Sequence, residues 1–392
     1  MDIKERIDRR RRSEPERGLV SDYEPLSPVF HVAEPTDRGQ ILEQLLDVLD
    51  PVFEGDLPPT THIHGPKGSG KSAVLTALFA QLSELTRHSR SAILTTTRAE
   101  PVRLPAFVYI DAREAPTDFA LYRSVVDELV EESVPKQGIS TDALCDRLSE
   151  LLDDGVVVAV DHVDEPGTLS VAAVQQLFEP FGDAVSLLTA SQSEPTGETA
   201  SPDRLVAFPQ YERHQLVDLL ARRTSLGLAN DTMTHEQLRR VAEWADGDAH
   251  DALAAVFGAV DTARENGRER VADEDVEASM DEVPWQCVSL GRVLALPRNR
   301  QQVLVALLTL DDDQRRSVTA AATAIAASST VDLSEATIKR FLYELAEVGI
   351  VQRVRNEDDD GIGRPSSRVE PRFPTRVFDR LHEIRARNDP ER

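Results

Sequence analysis

The sequence predicts an α/β fold: a parallel sheet carrying a phosphate-binding loop, then a helical lid, then a winged helix. Three observations predict it. A glycine-rich turn, GPKGSGKS from Gly65 to Ser72, sits between an apolar strand and an amphipathic helix. Strands and helices alternate as far as Pro209, after which the strands stop. The C-terminal part reads helix, helix, helix, hairpin, the order of a winged helix-turn-helix.

Taken in order, residues 1–30 are polar, charged and punctuated by proline, and read as a flexible tail. QILEQLLDVLDPVF (40–53) has helical apolar spacing, and THIHG (61–65) is a strand running into the glycine-rich turn. The helix SAVLTALFAQLSEL (72–85) follows, then the strand AFVYIDA (106–112) and the helix DFALYRSVVDELVEE (118–132). A helix over 141–153 leads to the strand at 155–161, and AVSLLTAS (184–191) is a further strand. Residues 31–208 therefore form the sheet domain. ERHQLVDLLARRTSL, HEQLRRVAEWA, HDALAAVFGAVDTARENG and DEDVEASM are helical and make a lid over 209–283. EVPWQ (282–286) reads as a linker, and 285–392 hold the winged helix, whose recognition helix runs from Glu335 to Glu347 with Ser334 as its cap.

Composition narrows the setting. The 392 residues are 40% hydrophobic, which fits a globular chain, and no apolar stretch reaches membrane length. Arginines 9–12 are followed by no apolar segment, so no secretory signal is expected. Cys145 and Cys287 are the only cysteines, too few for a disulfide framework or a zinc site, and suit a reducing cytoplasm. Sixty-nine Asp and Glu oppose 44 Lys and Arg, for a net charge of −25. Lysine occurs only at positions 4, 67, 71, 136 and 339. Such an acidic, lysine-poor surface resembles the proteins of salt-in halophiles. At molar salt the Debye length is only ~3 Å, so net charge says little there about which partners bind. The C-terminal part escapes the acidity: residues 287–392 carry 17 basic and 16 acidic side chains.

The turn from Gly65 to Ser72 fits G-x-x-x-x-G-K-[ST]. Its backbone N–H groups must converge on phosphate oxygens, which crowds out side chains and requires glycine. Gly65, Pro66, Lys67, Gly68, Ser69, Gly70, Lys71, Ser72 and Ala73 are accordingly the expected nucleotide contacts. Lys71 would neutralise the β and γ oxygens of ATP or ADP, Ser72 would ligate Mg2+, and the helix beginning there adds its N-terminal dipole. Asp161 ends a buried strand, where a Mg2+-bound water needs a carboxylate, and is expected as second metal group and catalytic residue. His162 follows it where an anionic base is expected; a pocket-edge role suits its imidazole better, leaving Asp164 or Glu165 as the acid able to reach in, and Glu165 is taken as the second catalytic candidate. In the winged helix, Thr337, Lys339 and Arg340 lie early in the recognition helix, while Arg364 and Arg368 follow a wing tip at Gly361 and Gly363, suited to duplex DNA. The acidic runs at 311–313 and 357–360 read as solvated loops.

In this order the domains resemble the archaeal replication initiators of the origin-recognition-complex and cell-division-cycle (Orc/Cdc) AAA+ family, over about residues 24–380. DPVFEGDLPPTTHIHGPKGSGKSAV is similar to that family's approach to its phosphate loop, and FPQYERHQLVDLLARR (208–223) to the start of its lid. There Tyr211 and Arg223 match the family's nucleotide-contacting pair. DGDAHDAL resembles its sensor-2 segment, and LPRNRQQVLVALL and GIGRPSSRVEPRF its winged helix. The resemblance implies an ATP-binding protein of the cytoplasm that binds origin DNA, engages a replicative helicase, and is a monomer in solution that assembles on DNA. The departures are specific. Asp161-His162 stands where the family usually has Asp-Glu, His250 replaces the sensor-2 arginine, and Ser191 or Gln192 stands at sensor 1. The finger arginine has no clear counterpart beyond Arg204, and Glu165 to Ala184 is compressed. Weak or absent ATPase activity is the expectation. An ATP-sensing regulator of transcription or of a mobile element would share the same domains.

Overall fold

The computed structural model describes residues 18–93, 104–130, 132–195, 202–328, 331–355 and 367–388. Helix α1 (Gly39–Leu49) leads to β1 (Thr61–His64), the phosphate loop and α2 (Lys71–Ile93). Then come β2 (Ala106–Asp111), α3 (Asp118–Leu129), α4 (Thr141–Glu150), β3 (Val156–Asp161), α5 (Val171–Phe178), β4 (Val185–Ser191) and β5 (Arg204–Ala207). The five strands form one parallel sheet in the order β2-β3-β4-β1-β5. Every residue of β3 is buried, as a central parallel strand covered on both faces requires. Strand alternation divides it between two cores: Val156, Val158 and Val160 pack with Leu121, Leu144 and Val174, while Val157 and Ala159 pack with Leu45, Val74 and Leu75. Helices α3, α4 and α5 thus cover one face, and α1 and α2 the other.

Four helices follow: α6 (Arg213–Gly227), α7 (His235–Trp244), α8 (Ala249–Glu265) and α9 (Asp273–Glu282). The C-terminal part holds α10 (Leu290–Leu294), α11 (Arg298–Leu308), α12 (Asp312–Arg315), α13 (Val318–Ala327), α14 (Glu335–Glu347), the antiparallel pair β6 (Val351–Arg355) and β7 (Ser367–Pro371), and α15 (Thr375–Asn388). Helices α11, α13 and α14 followed by the antiparallel pair give the order expected of the winged helix, with α14 in the place of its recognition helix. Ser334 Oγ accepts the Thr337 N–H at 3.3 Å, so the cap forms. One apolar core runs without a break through lid and winged helix, joining Leu253, Val256 and Phe257 to Leu290, Val303 and Phe378.

Two features depart from the sequence reading. β5, α5, α10, α12 and α15 were not expected as elements; the acidic run read as a loop at 311–313 instead caps and begins α12, Asp311 accepting the Gln314 N–H. The others are short, or, for α15, an amphipathic helix closing the C-terminal core, and gain their identity from tertiary partners. The flexible tail expected over 1–30 is packed from residue 18: Leu19 and Leu26 are buried in the lid core, and the Ser21 N–H donates to the Gly227 carbonyl at 2.9 Å. Residues 1–17, including the arginines at 9–12, lie outside the described residues, as do the acidic run at 357–360 and Arg364 with its neighbouring glycines.

Candidate nucleotide-binding site

The C-terminal ends of β1, β3 and β4 open onto a cavity of about 450 Å3, closed on the far side by α8 and α10. Its volume lies in the range usual for small-molecule sites, and its place outside the carboxyl ends of parallel strands is where such sheets bind ligands. Lys67 to Ala73 line it, whereas Gly65 and Pro66 are not part of its lining. The Lys71 ammonium donates to the carbonyls of Gly65 (2.6 Å) and Pro66 (2.9 Å) and to Ser69 Oγ (3.3 Å). Burial pulls the Lys71 pKa down, against the nearby carboxylates of Asp161, Glu165 and Asp248.

Why glycine is required at Gly68 is visible in its surroundings. Its φ is +72°, and a Cβ would stand 2.0 Å from Asp248 Oδ1 and 2.8 Å from the Ala249 nitrogen. Asp248 caps α8, and the Ala249 N–H donates to the Gly68 carbonyl at 3.2 Å, so the lid helix rests directly on the phosphate loop. Lys67 ties the same two parts together, reaching Asp251 at 2.5 Å and Asp248 at 3.0 Å.

Tyr211 and Arg223, expected from the resemblance, both line the cavity and are buried. Tyr211 lies under the Arg38 guanidinium, 3.5 Å from the ring centroid, and its hydroxyl would be 2.7 Å from a Cβ on Gly70. Arg38 is itself buried and donates to the Pro209 carbonyl at 3.0 Å. Sequence reasoning missed it, because a lone arginine in a Pro-rich lead-in carries no local signature. Arg223 donates to the carbonyls of Pro25, Ser27 (2.7 Å) and Phe30 (3.0 Å), so it holds the N-terminal segment as a wall of the cavity. Burial pulls its pKa down to about 10.

The expected metal and catalytic groups converge, with His162 among them. Asp161 is fully buried; Oδ1 accepts the His162 N–H (2.7 Å) and Oδ2 the Tyr109 hydroxyl (3.0 Å). The His162 ring is held by Glu165, whose Oε1 accepts from Nδ1 at 2.9 Å. Its Nε2 lies 3.1 Å from Ser72 Oγ and 3.6 Å from Asp161 Oδ2. Burial disfavours the charged ring, but Asp161 and Glu165 outweigh it and raise the His162 pKa. Burial likewise opposes ionisation of Asp161 and Glu165, yet the imidazole leads the groups that hold both below the usual carboxylate range. The fit to Mg2+ is poor as the groups stand. That ion demands oxygen ligands at about 2.0–2.1 Å in octahedral array, and the imidazole edge lies against the two side chains expected to supply them. Glu165, expected to activate water, is engaged by the ring instead.

The remaining departures also acquire positions. His250 Nε2 accepts the Leu290 N–H at 2.9 Å, so Nδ1 carries the hydrogen it gives to Asp251 at 2.9 Å. The residue at the sensor-2 position thus links α8 to the winged helix. Ser191 lines the cavity and pairs with His62 Nε2 at 3.2 Å. Arg204 lies on the edge strand β5, beside Asp47, Pro51 and Pro59.

Of the expected DNA contacts, Thr337, Lys339 and Arg340 lie on α14 and Arg368 on β7, while Arg364 lies outside the described residues. Arg340 is 66% exposed in its side chain, 3.6 Å from Glu344. Arg368 pairs with Glu370 at 2.8 Å, two residues along the same strand. Lys339 donates to Thr319 Oγ1 on α13 at 2.8 Å, and the Thr337 hydroxyl pairs with Ser334 Oγ at 2.9 Å.

Residues 34–190 match the AAA ATPase domain family. ORC1-type DNA replication protein 9 of Halobacterium salinarum is 25% identical over 258 residues, 65% of this chain and 70% of that protein. Among solved structures, the Aeropyrum pernix ORC1 protein in complex with DNA superposes with a TM-score of 0.60 at 21% identity, covering 96% of this chain and 98% of that one. The Aeropyrum pernix ORC2 protein in its ADPNP-ADP complexes gives 0.57 at 17% identity, covering 94% and 99%. Residues 34–190 thus match an AAA ATPase domain, the chain is similar in sequence to ORC1-type DNA replication proteins, and its fold is that of the Aeropyrum pernix ORC1 and ORC2 structures.

Proposed function

We propose that this chain is a nucleotide-holding DNA-binding protein that takes part in starting DNA replication. ATP or ADP occupies the cavity, its phosphates on the N–H groups of Gly68 to Ser72 and its base between Tyr211 and the segment at Pro28–His31. The observation that carries the reading is the contact of the lid helix with the phosphate loop at Gly68, which makes the loop a junction between nucleotide, lid and, through His250, winged helix.

The nucleotide is held more than it is consumed. Glu165 is bonded to His162, and His250 to Leu290, so the two groups placed to act on water and on a γ-phosphate are engaged elsewhere. Loss of a general base alone costs on the order of 10²–10⁴ in rate. Whether Mg2+ joins the nucleotide at Ser72 and Asp161 turns on where the His162 ring sits. Duplex DNA, origin DNA in particular, is bound by α14 and the β6–β7 wing, with Thr337, Lys339, Arg340, Arg364 and Arg368 as contacts. The protein works in the cytoplasm, as a monomer that assembles on DNA and hands the origin to a replicative helicase. Among the described residues no helix is long and apolar enough to cross a membrane.

Mapping the full chain along its own genome tests this. Occupancy at replication start sites is expected; occupancy confined to promoters contradicts the replication role and favours the regulator of transcription.

A further inference from the structure

We propose that the His162 imidazole takes the place of the divalent cation in this protein, so that ATP or ADP is bound without Mg2+. The inference rests on the nucleotide reading above and concerns only what neutralises and positions the phosphates there.

Its basis is placement. Nε2 stands 3.1 Å from Ser72 Oγ and 3.6 Å from Asp161 Oδ2, the two side chains that would otherwise share a metal ion. A Mg2+ ion bonded to Ser72 Oγ at about 2.0–2.1 Å, with a water of its shell on Asp161, would press on that ring edge. The ring is also built in. Nδ1 donates to Glu165 at 2.9 Å, the His162 N–H to Asp161 Oδ1 at 2.7 Å, and the His162 carbonyl accepts from Thr168 Oγ1 at 3.0 Å. The His162 backbone lies at φ +62°, an uncommon conformation that the surrounding bonds over-determine. Because Glu165 offers only acceptors, Nδ1 carries a hydrogen, and Nε2 faces the phosphate loop. A nitrogen edge is a poor partner for a hard cation that prefers oxygen. Carrying a hydrogen, Nε2 donates to a phosphate oxygen; without one, it accepts from the serine hydroxyl. Lys71 and the N-terminus of α2 supply the remaining positive potential.

The test is equilibrium binding of a fluorescent ADP analogue, with unlabelled ATP as competitor, to the full chain in molar KCl, with millimolar MgCl2 or excess EDTA. The wild type is expected to bind with the same affinity in both buffers, within about twofold. His162→Ala empties the cation position, so it should bind about tenfold more tightly with Mg2+ than with EDTA. If that variant loses its thermal transition, His162→Asn decides. Asparagine tolerates the positive φ and is also too short to fill the position, so it should show the same response to Mg2+. Wild-type affinity that falls tenfold or more in EDTA overturns the proposal, as do variants no more responsive to Mg2+ than the wild type. Absence of nucleotide binding in both buffers would remove the nucleotide reading as well; binding that depends on Mg2+ removes this inference alone.

Discussion

The phosphate loop and the recognition end of the winged helix both use charged side chains, but hold them in opposite ways. At the loop the partners are distant in sequence and the pairs largely enclosed: Lys67 with Asp248 and Asp251, Arg223 with the carbonyls at Pro25, Ser27 and Phe30. On the winged helix the partners are local and exposed: Arg340 with Glu344, and Arg368 with Glu370. Removing one partner of a buried pair costs about 3–5 kcal/mol, whereas an exposed pair contributes about 0–1 kcal/mol. The nucleotide end is therefore preorganised for one ligand. The winged-helix end can exchange a carboxylate for a phosphate at little cost.

That contrast is breakable. Lys71→Ala should have the largest effect, lowering nucleotide affinity on the order of a hundredfold, since hydrogen bonds to a charged group contribute about 1.5–3 kcal/mol each. Titration with labelled ADP reads it, and unchanged affinity would sink the cradle. Gly68→Ala forces a Cβ against Asp248 and the Ala249 backbone at positive φ. Backbone strain of about 1–3 kcal/mol predicts a weaker site, by about tenfold, and a lower melting temperature. His250→Ala leaves the buried Leu290 N–H without its acceptor. It should cost about 1–3 kcal/mol of stability, read as a lower urea midpoint; an unchanged midpoint would mean that the link between lid and winged helix carries no energy. Arg340→Ala should be mildest, weakening duplex binding about fivefold and narrowing the gap between sites, with nucleotide affinity untouched. A loss of nucleotide binding there would erase the distinction between the two ends.

The two ends also differed in how far the sequence disclosed them. Gly65 to Ser72 was legible because the chemistry of wrapping backbone N–H groups around phosphates forces its spacing. The buried β3 was equally plain, since a strand covered on both faces must be apolar throughout. Arg38 was not legible: its role comes from stacking on Tyr211, far along the chain. Nor was the packing of Leu19 and Leu26, whose polar, Pro-punctuated surroundings conceal two residues that the lid core buries. His162 and His250 stood out as departures, but only the structure shows that each has a new set of partners. Lys339 illustrates the surface limit: its place early in the recognition helix was legible, but not the hydroxyl on α13 that holds it.

A nucleotide that is held rather than burned stays ATP on the protein, which is read by following bound ATP through time. Labelled ATP is mixed with excess wild-type protein in molar KCl, with and without duplex DNA, and the bound nucleotide is extracted at intervals. With the His162 ring on Glu165, conversion to ADP is predicted to stay below about 0.01 per second, far under the usual enzyme range. His162→Glu, which returns a carboxylate to that position, should be faster. A wild type that converts its ATP within seconds, as fast as His162→Glu, would contradict the account.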